Sequence, residues 1–84
     1  MSEMQLNALI VGEVIADFRE RKGITQEVLS GLADIGRTHL SAIERGERKP
    51  TLETFYRLSR ALDVSMSDLI ISIEKKINEN SLKI

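Results

Sequence analysis

Apolar residues recur along the chain at steps of three and four, the spacing of one face of an α-helix. No stretch alternates strictly between apolar and polar in the β-branched manner of a strand. Leu6, Ile10, Val11, Val14, Ile15 and Phe18 predict a first helix that runs through the charged stretch 19–22 and stops at Gly23. Thr25 stands where an N-cap belongs, with Gln26 and Glu27 in the first turn. Val28, Leu29, Leu32 and Ala33 are the expected inner face of a short second helix. Gly31 lowers its intrinsic helicity by about 1 kcal/mol relative to Ala, so packing compensates or a neighbouring backbone comes close there. After Asp34-Ile35-Gly36, a third helix is expected from Arg37 to Arg45, with Leu40 and Ile43 inward and Gly46 as its stop. The loop Glu47-Arg48-Lys49-Pro50 leads to Thr51, the expected cap of a fourth helix whose apolar positions are Leu52, Phe55, Leu58, Ala61 and Leu62. Asp63-Val64 breaks it, and Ser65 with Asp68 makes a capping box for a fifth helix over about 66–79. The tail from Asn78 reads as frayed.

Five short helices joined by brief connections predict an all-α, compact five-helix domain. Eighty-four residues are enough for one domain, with 42% hydrophobic and 30% charged residues in ordinary globular balance. With aromatics at 4%, the core must be aliphatic. The absence of Cys excludes a disulfide framework, a thiol nucleophile and a thiolate-bound metal, and the single His39 excludes a multi-histidine site. No cofactor or small-molecule ligand is indicated. Ser30, Ser41 and Ser59 have no base and acid partners, so an enzyme is not expected. No apolar run approaches the roughly 20 residues of a membrane span, and the start lacks a signal peptide's basic region, so a cytoplasmic location is expected.

Net charge is only −1, which argues against a nonspecific coat for nucleic acid. The distribution changes that picture. Residues 37–60 hold six basic side chains against three acidic ones, while both flanking segments are net acidic. The cationic segment begins at the tight, glycine-containing junction between the second and third helices, which is the signature of a helix-turn-helix. A DNA major groove about 12 Å wide admits one α-helix, provided that the helix protrudes and is held at a fixed angle. Ile35 would plug the core at the turn. Arg37, Thr38, Ser41 and Ala42 would face outward as base contacts. Thr25 and Gln26 at the start of the second helix, His39, Arg45, Arg48, Lys49 and Thr51 are the candidate phosphate contacts, which position rather than specify. Arg57 and Arg60 read as a solvated face.

The run Phe18-Arg19-x-x-Lys22-Gly23-Ile24-Thr25-Gln26-Glu27-x-Leu29, followed by Arg37-x-x-Leu40-Ser41-x-Ile43-Glu44-Arg45-Gly46-x-Arg48-x-Pro50-Thr51-Leu52-Glu53-Thr54, resembles the Cro/C1-type (XRE) helix-turn-helix regulators. The similarity extends over about residues 11–71. It implies a lambda-repressor-like, sequence-specific domain for double-stranded DNA, usually a homodimer on a near-palindromic operator. It also implies that Arg19 pairs with Glu44, tying the first helix to the base of the third. Asp34 and Asp63 stand where the family usually has Gly, Gly36 where it has Ser or Thr, and His39 where an aromatic is common. The phrase from Arg37 to Gly46 in so short a chain also resembles the controller proteins of restriction–modification systems. Small phage and plasmid repressors and antitoxins share most of the pattern, and a protein-interaction module with this fold is the alternative from another class.

The expected organisation is an N-terminal extension over 1–10 that continues into helix one, the DNA-binding domain over 11–71, and the end of helix five with its tail over 72–84. Leu69, Ile70, Ile71, Ile73 and Ile77 are more apolar surface than one narrow helical face can bury. They are the expected dimer interface, with Leu6 or Leu9 from the first helix. Coverage by the N-terminal extension within one subunit is the competing reading.

Overall fold

The computed structural model describes residues 4–81, which form five helices: α1 (Ala8–Lys22), α2 (Gln26–Ala33), α3 (Arg37–Glu44), α4 (Leu52–Ala61) and α5 (Met66–Ser81). Their starts follow the capping residues. Thr25 Oγ1 accepts from the Val28 N–H at 3.1 Å, and Thr51 Oγ1 from the Thr54 N–H at 3.1 Å. Ser65 and Asp68 form the reciprocal capping box, at 3.0 and 3.1 Å. Asn7, for which the apolar spacing carries no signal, caps α1 by accepting from the N–H groups of Leu9 and Ile10. The fifth helix continues through Ser81, so 78–81 are helical rather than frayed. The remainder of the tail (82–84) and residues 1–3 lie outside the described residues.

The first four helices end alike. Gly23, Asp34, Gly46 and Asp63 adopt left-handed backbone, with φ of 76°, 56°, 77° and 61°. Each left-handed N–H, and the N–H after it, bonds back to the helix's orphan carbonyls: Asp34 to Gly31 and Ile35 to Ser30, Gly46 to Ile43 and Glu47 to Ala42. The two aspartates therefore occupy a left-handed conformation that ordinarily favours glycine.

The helices surround an aliphatic core. It comprises Ile10, Val11, Val14 and Ile15 of α1, Leu29 and Ala33 of α2, Leu40 and Ile43 of α3, Phe55, Leu58 and Leu62 near α4, and Leu69 and Ile73 of α5. Ile35 in the turn packs against this core, half-buried. Three expected inward residues are outside instead: Val28, Leu32 and Leu52 are exposed. The second helix packs between α3 and α4, and the stripe that meets both is Leu29-Ser30-Ala33. Ser30 can be buried there because its Oγ donates to the Glu27 carbonyl at 3.0 Å.

Gly31 does not mark a close approach, since a Cβ there would meet nothing within 4 Å. Gly12 does. A Cβ at Gly12 would lie 2.7 Å from the Glu44 carbonyl oxygen and closer still to that of Ile43. The backbone of α1 thus rests on the last turn of α3. The same crossing is tied by Arg19, whose Nε and Nη2 donate to Glu44 Oε2 and Oε1 at 2.7 and 3.0 Å. Arg19 Nη1 also donates to the Ile24 carbonyl, and Gln26 Nε2 to Glu44 Oε1, both at 2.9 Å. Both charged side chains are largely out of water, at 13% and 6% exposure. The hydrogen bonds to Glu44 raise the Arg19 pKa further above its usual value. On the far side of α1, Lys76 of α5 lies 3.2 Å from Asp17 and 3.7 Å from Glu13.

Gly12→Ala is expected to destabilise the fold by about 3 kcal/mol, because the obstruction is backbone that cannot repack. Gly31→Ala is expected to stabilise it by about 0.5–1 kcal/mol. Urea denaturation of the two variants checks the opposite signs. Glu44→Ala should cost about 3 kcal/mol by leaving Arg19 without its partner, whereas replacing Arg19 and Glu44 together by Met should cost less than that single change. The same denaturation series measures the difference.

Candidate nucleic-acid interface

The third helix is held along one side and bare along the other. Leu40 and Ile43 are fully buried, and Glu44 is locked to Arg19 and Gln26. A helix advances 3.6 residues per turn, so Arg37, Thr38, Ser41 and Arg45 fall on the opposite stripe. These four residues line a shallow notch of about 140 Å³. Arg37 and Thr38 are exposed, Ser41 and Ala42 half-exposed, and His39 sits half-buried on the flank. Ala42 does not line the notch. The Arg37 side chain makes no hydrogen bond or ion pair among the described residues, so its guanidinium is available to an incoming acceptor.

Apart from His39, half-buried on the flank of α3, the expected phosphate contacts divide into three kinds. Arg48 and Lys49 are exposed on the α3–α4 loop, with side chains unpaired among the described residues. Thr25 and Thr51 use their hydroxyls to cap α2 and α4, which leaves first-turn N–H groups and the positive helix ends directed outward. Gln26 and Arg45 are already engaged. Gln26 belongs, through its side chain, to the Arg19–Glu44 network. Arg45 donates from Nε and Nη2 to Glu47 Oε2 and Oε1, each at 2.9 Å, and from Nη1 to Ser41 Oγ. These bonds raise the Arg45 pKa and hold the Glu47 carboxyl below its usual range. Sequence spacing carried no sign of the Glu47 contact, although the left-handed Gly46 between the two is what turns Glu47 back towards Arg45.

Arg57 is not merely a solvated charge. Its Nη1 donates to the Asp34 carbonyl at 3.3 Å, bridging α4 to the α2–α3 turn.

The fifth helix corrects the expected dimer surface. Leu69 is fully buried and Ile73 is 5% exposed, so both belong to the subunit's own core, and Ile77 packs against it. Ile70 and Ile71 are exposed, as are Leu6, Leu9 and Leu52. Between the N-terminal segment, the start of α4 and α5 runs an apolar groove of about 430 Å³, with Leu6, Leu52, Phe55 and Ile70 in its walls. No helix among the described residues is long and apolar enough to cross a membrane.

The helix-turn-helix family model (HTH_3) matches residues 15–69. The chain is 41% identical over 61 residues to the HTH-type transcriptional regulator y4dJ of Sinorhizobium fredii, covering 73% of this chain and 79% of that one. It is 35% identical over 63 residues to the control protein C.BamHI of Bacillus amyloliquefaciens, covering 74% and 78%. Among solved structures it resembles the restriction–modification controller protein C.AhdI of Aeromonas hydrophila, with a TM-score of 0.74 and 29% identity over 77% of this chain and 98% of that one. The matched span contains the whole α2–turn–α3 unit and both members of the Arg19–Glu44 pair, and the chain belongs to the helix-turn-helix family of Cro/C1 (XRE) type.

Proposed function

We propose that this protein is a sequence-specific regulator of transcription that binds double-stranded DNA as a homodimer on a near-palindromic operator. The observation that carries this reading is α3 itself: one face is welded to α1 and α2, and the other presents Arg37 and Thr38 exposed, with Ser41 beside them beneath the Arg45 side chain. Such a helix fits the major groove, where an arginine bonds bidentately to guanine O6 and N7 and a threonine methyl meets a thymine methyl. Arg48, Lys49 and the open starts of α2 and α4 supply phosphate contacts on either side. The chemistry needs neither cofactor nor catalytic group, and it belongs in the cytoplasm with the DNA. The control and controller proteins among its relatives favour a role as the controller of a restriction–modification system.

One short helix reads too few base pairs to discriminate a site, so a twofold pair is required, with its reading helices about 34–36 Å apart. The exposed Ile70 and Ile71, together with the apolar groove beside Leu6 and Leu52, support a dimer through the α5 face.

Arg37→Ala should weaken binding to the selected operator by about 1–3 kcal/mol and relax one base position per half-site, while Lys49→Ala should weaken all sequences alike and lower the salt slope by about 1. Gel shifts with cognate and scrambled duplexes across a salt series measure both effects. An Arg37 variant that distinguishes the two duplexes as well as the parent does would remove the base-reading role. Ile71→Asp should shift the solution mass from dimer to monomer in analytical ultracentrifugation and reduce operator affinity without lowering the subunit's helical content. An unchanged mass would exclude this face as the interface.

A further inference from the structure

We infer that Arg45 reads a base edge rather than gripping a phosphate, and that Glu47 is the positioning residue that aims it. This rests on the reading of α3 as the DNA-binding helix.

A guanidinium carries five N–H groups in one plane. In Arg45 the side edge, Nε with Nη2, is bonded to both oxygens of Glu47 at 2.9 Å, and Nη1 donates to Ser41. What remains is one N–H on Nη1 and the tip N–H of Nη2. That pair matches the O6 and N7 acceptors of guanine. The side chain lies back over Ser41, in the same notch as Arg37 and Thr38, so its tip is on the groove-facing stripe.

The anchoring is built from backbone. Gly46 is left-handed at φ 77°, and a Cβ there would run into Leu9 of α1, at 2.6 Å from Cδ2. The Glu47 N–H is fixed to the Ala42 carbonyl at 2.9 Å. Glu47 is thus held just past the end of α3, with the Arg45 guanidinium bonded to it and to Ser41. Its carboxylate also argues against a phosphate role. A negative charge on the flank of Arg45 repels a phosphate, whereas neighbouring Arg48 and Lys49 carry no such partner among the described residues. Holding a long side chain in place before binding removes the ordering cost from the binding step.

Selection of bound duplexes from a random pool tests this with the full chain, Arg45→Ala, Glu47→Ala and Lys49→Ala. The expected result is that the Arg45 and Glu47 variants both lose about tenfold discrimination at the same position of each half-site, one that Arg37→Ala leaves intact, while Lys49→Ala keeps the parent motif. Glu47→Ala should hold unselected duplex at least as tightly as the parent, since it has shed a negative charge. Thermal melts establish that each variant is folded. If Arg45→Ala keeps the parent motif and weakens all duplexes equally, with the salt slope reduced by about 1, Arg45 is a phosphate contact and the inference fails while the DNA reading stands. If Arg45→Ala relaxes a position and Glu47→Ala does not, the positioning role of Glu47 fails. If the parent enriches no duplex at all, the DNA reading falls and this inference falls with it.

Discussion

The crossing of α1 over the end of α3 is the constraint on which the rest of the molecule depends. Two features act at one place. Gly12 lets the α1 backbone rest directly on the carbonyls of Ile43 and Glu44, and Arg19 reaches across to bond Glu44 at both oxygens. The first sets the distance between the helices and the second sets the angle. Desolvating such a pair consumes most of its Coulombic gain, so its value lies in directionality more than in stability. Because Gln26 and the Ile24 carbonyl join the same pair, the start of α2 is fixed by the bond that fixes α3. The helix-turn-helix is therefore braced from α1, outside itself.

That arrangement resolves a tension in a small domain. A reading helix must keep one whole side free of packing, and it can contribute only a little to the core. Leu40 and Ile43 are the whole of what α3 buries. The remainder of its restraint has to be polar and geometric, which is why so much of the hydrogen bonding between side chains far apart in sequence converges on Glu44. The far side of α1 carries the complementary load, with Asp17 and Glu13 meeting Lys76 of α5. One helix is thus the common mount for the reading surface and for the helix proposed to hold the partner subunit.

The sequence spells out the parts of this structure that are local. N-caps at Thr25, Thr51 and Ser65, and glycine stops at Gly23 and Gly46, depend on interactions within a few residues and lie within a residue or so of where pattern puts them. Inward and outward faces are less legible where a helix packs on two neighbours at once. In α2 the buried stripe includes Ser30 and omits Val28 and Leu32, since tertiary direction outweighs side-chain polarity when a hydroxyl can bond its own helix. In α5, Leu69 and Ile73 differ from Ile70 and Ile71 by a rotation that periodicity alone leaves undetermined in so apolar a run. The Arg19–Glu44 pair spans 25 positions and came from the family resemblance, not from spacing. Gly12 gave no signal at all, because a helical glycine looks the same whether it faces water, as Gly31 does, or a carbonyl.

The left-handed helix ends at Gly23, Asp34, Gly46 and Asp63 carry a consequence for how such a protein diversifies. The joints are made of main chain, through N–H groups returned to carbonyls, and draw nothing from the outer side chains of α3. Substitution on that outer stripe is then nearly free of folding cost, as surface changes away from caps and cores generally are. A lineage can rewrite its preferred target one letter at a time on an unaltered chassis. Closely related copies in one cell can come to ignore each other's sites while remaining interchangeable in shape.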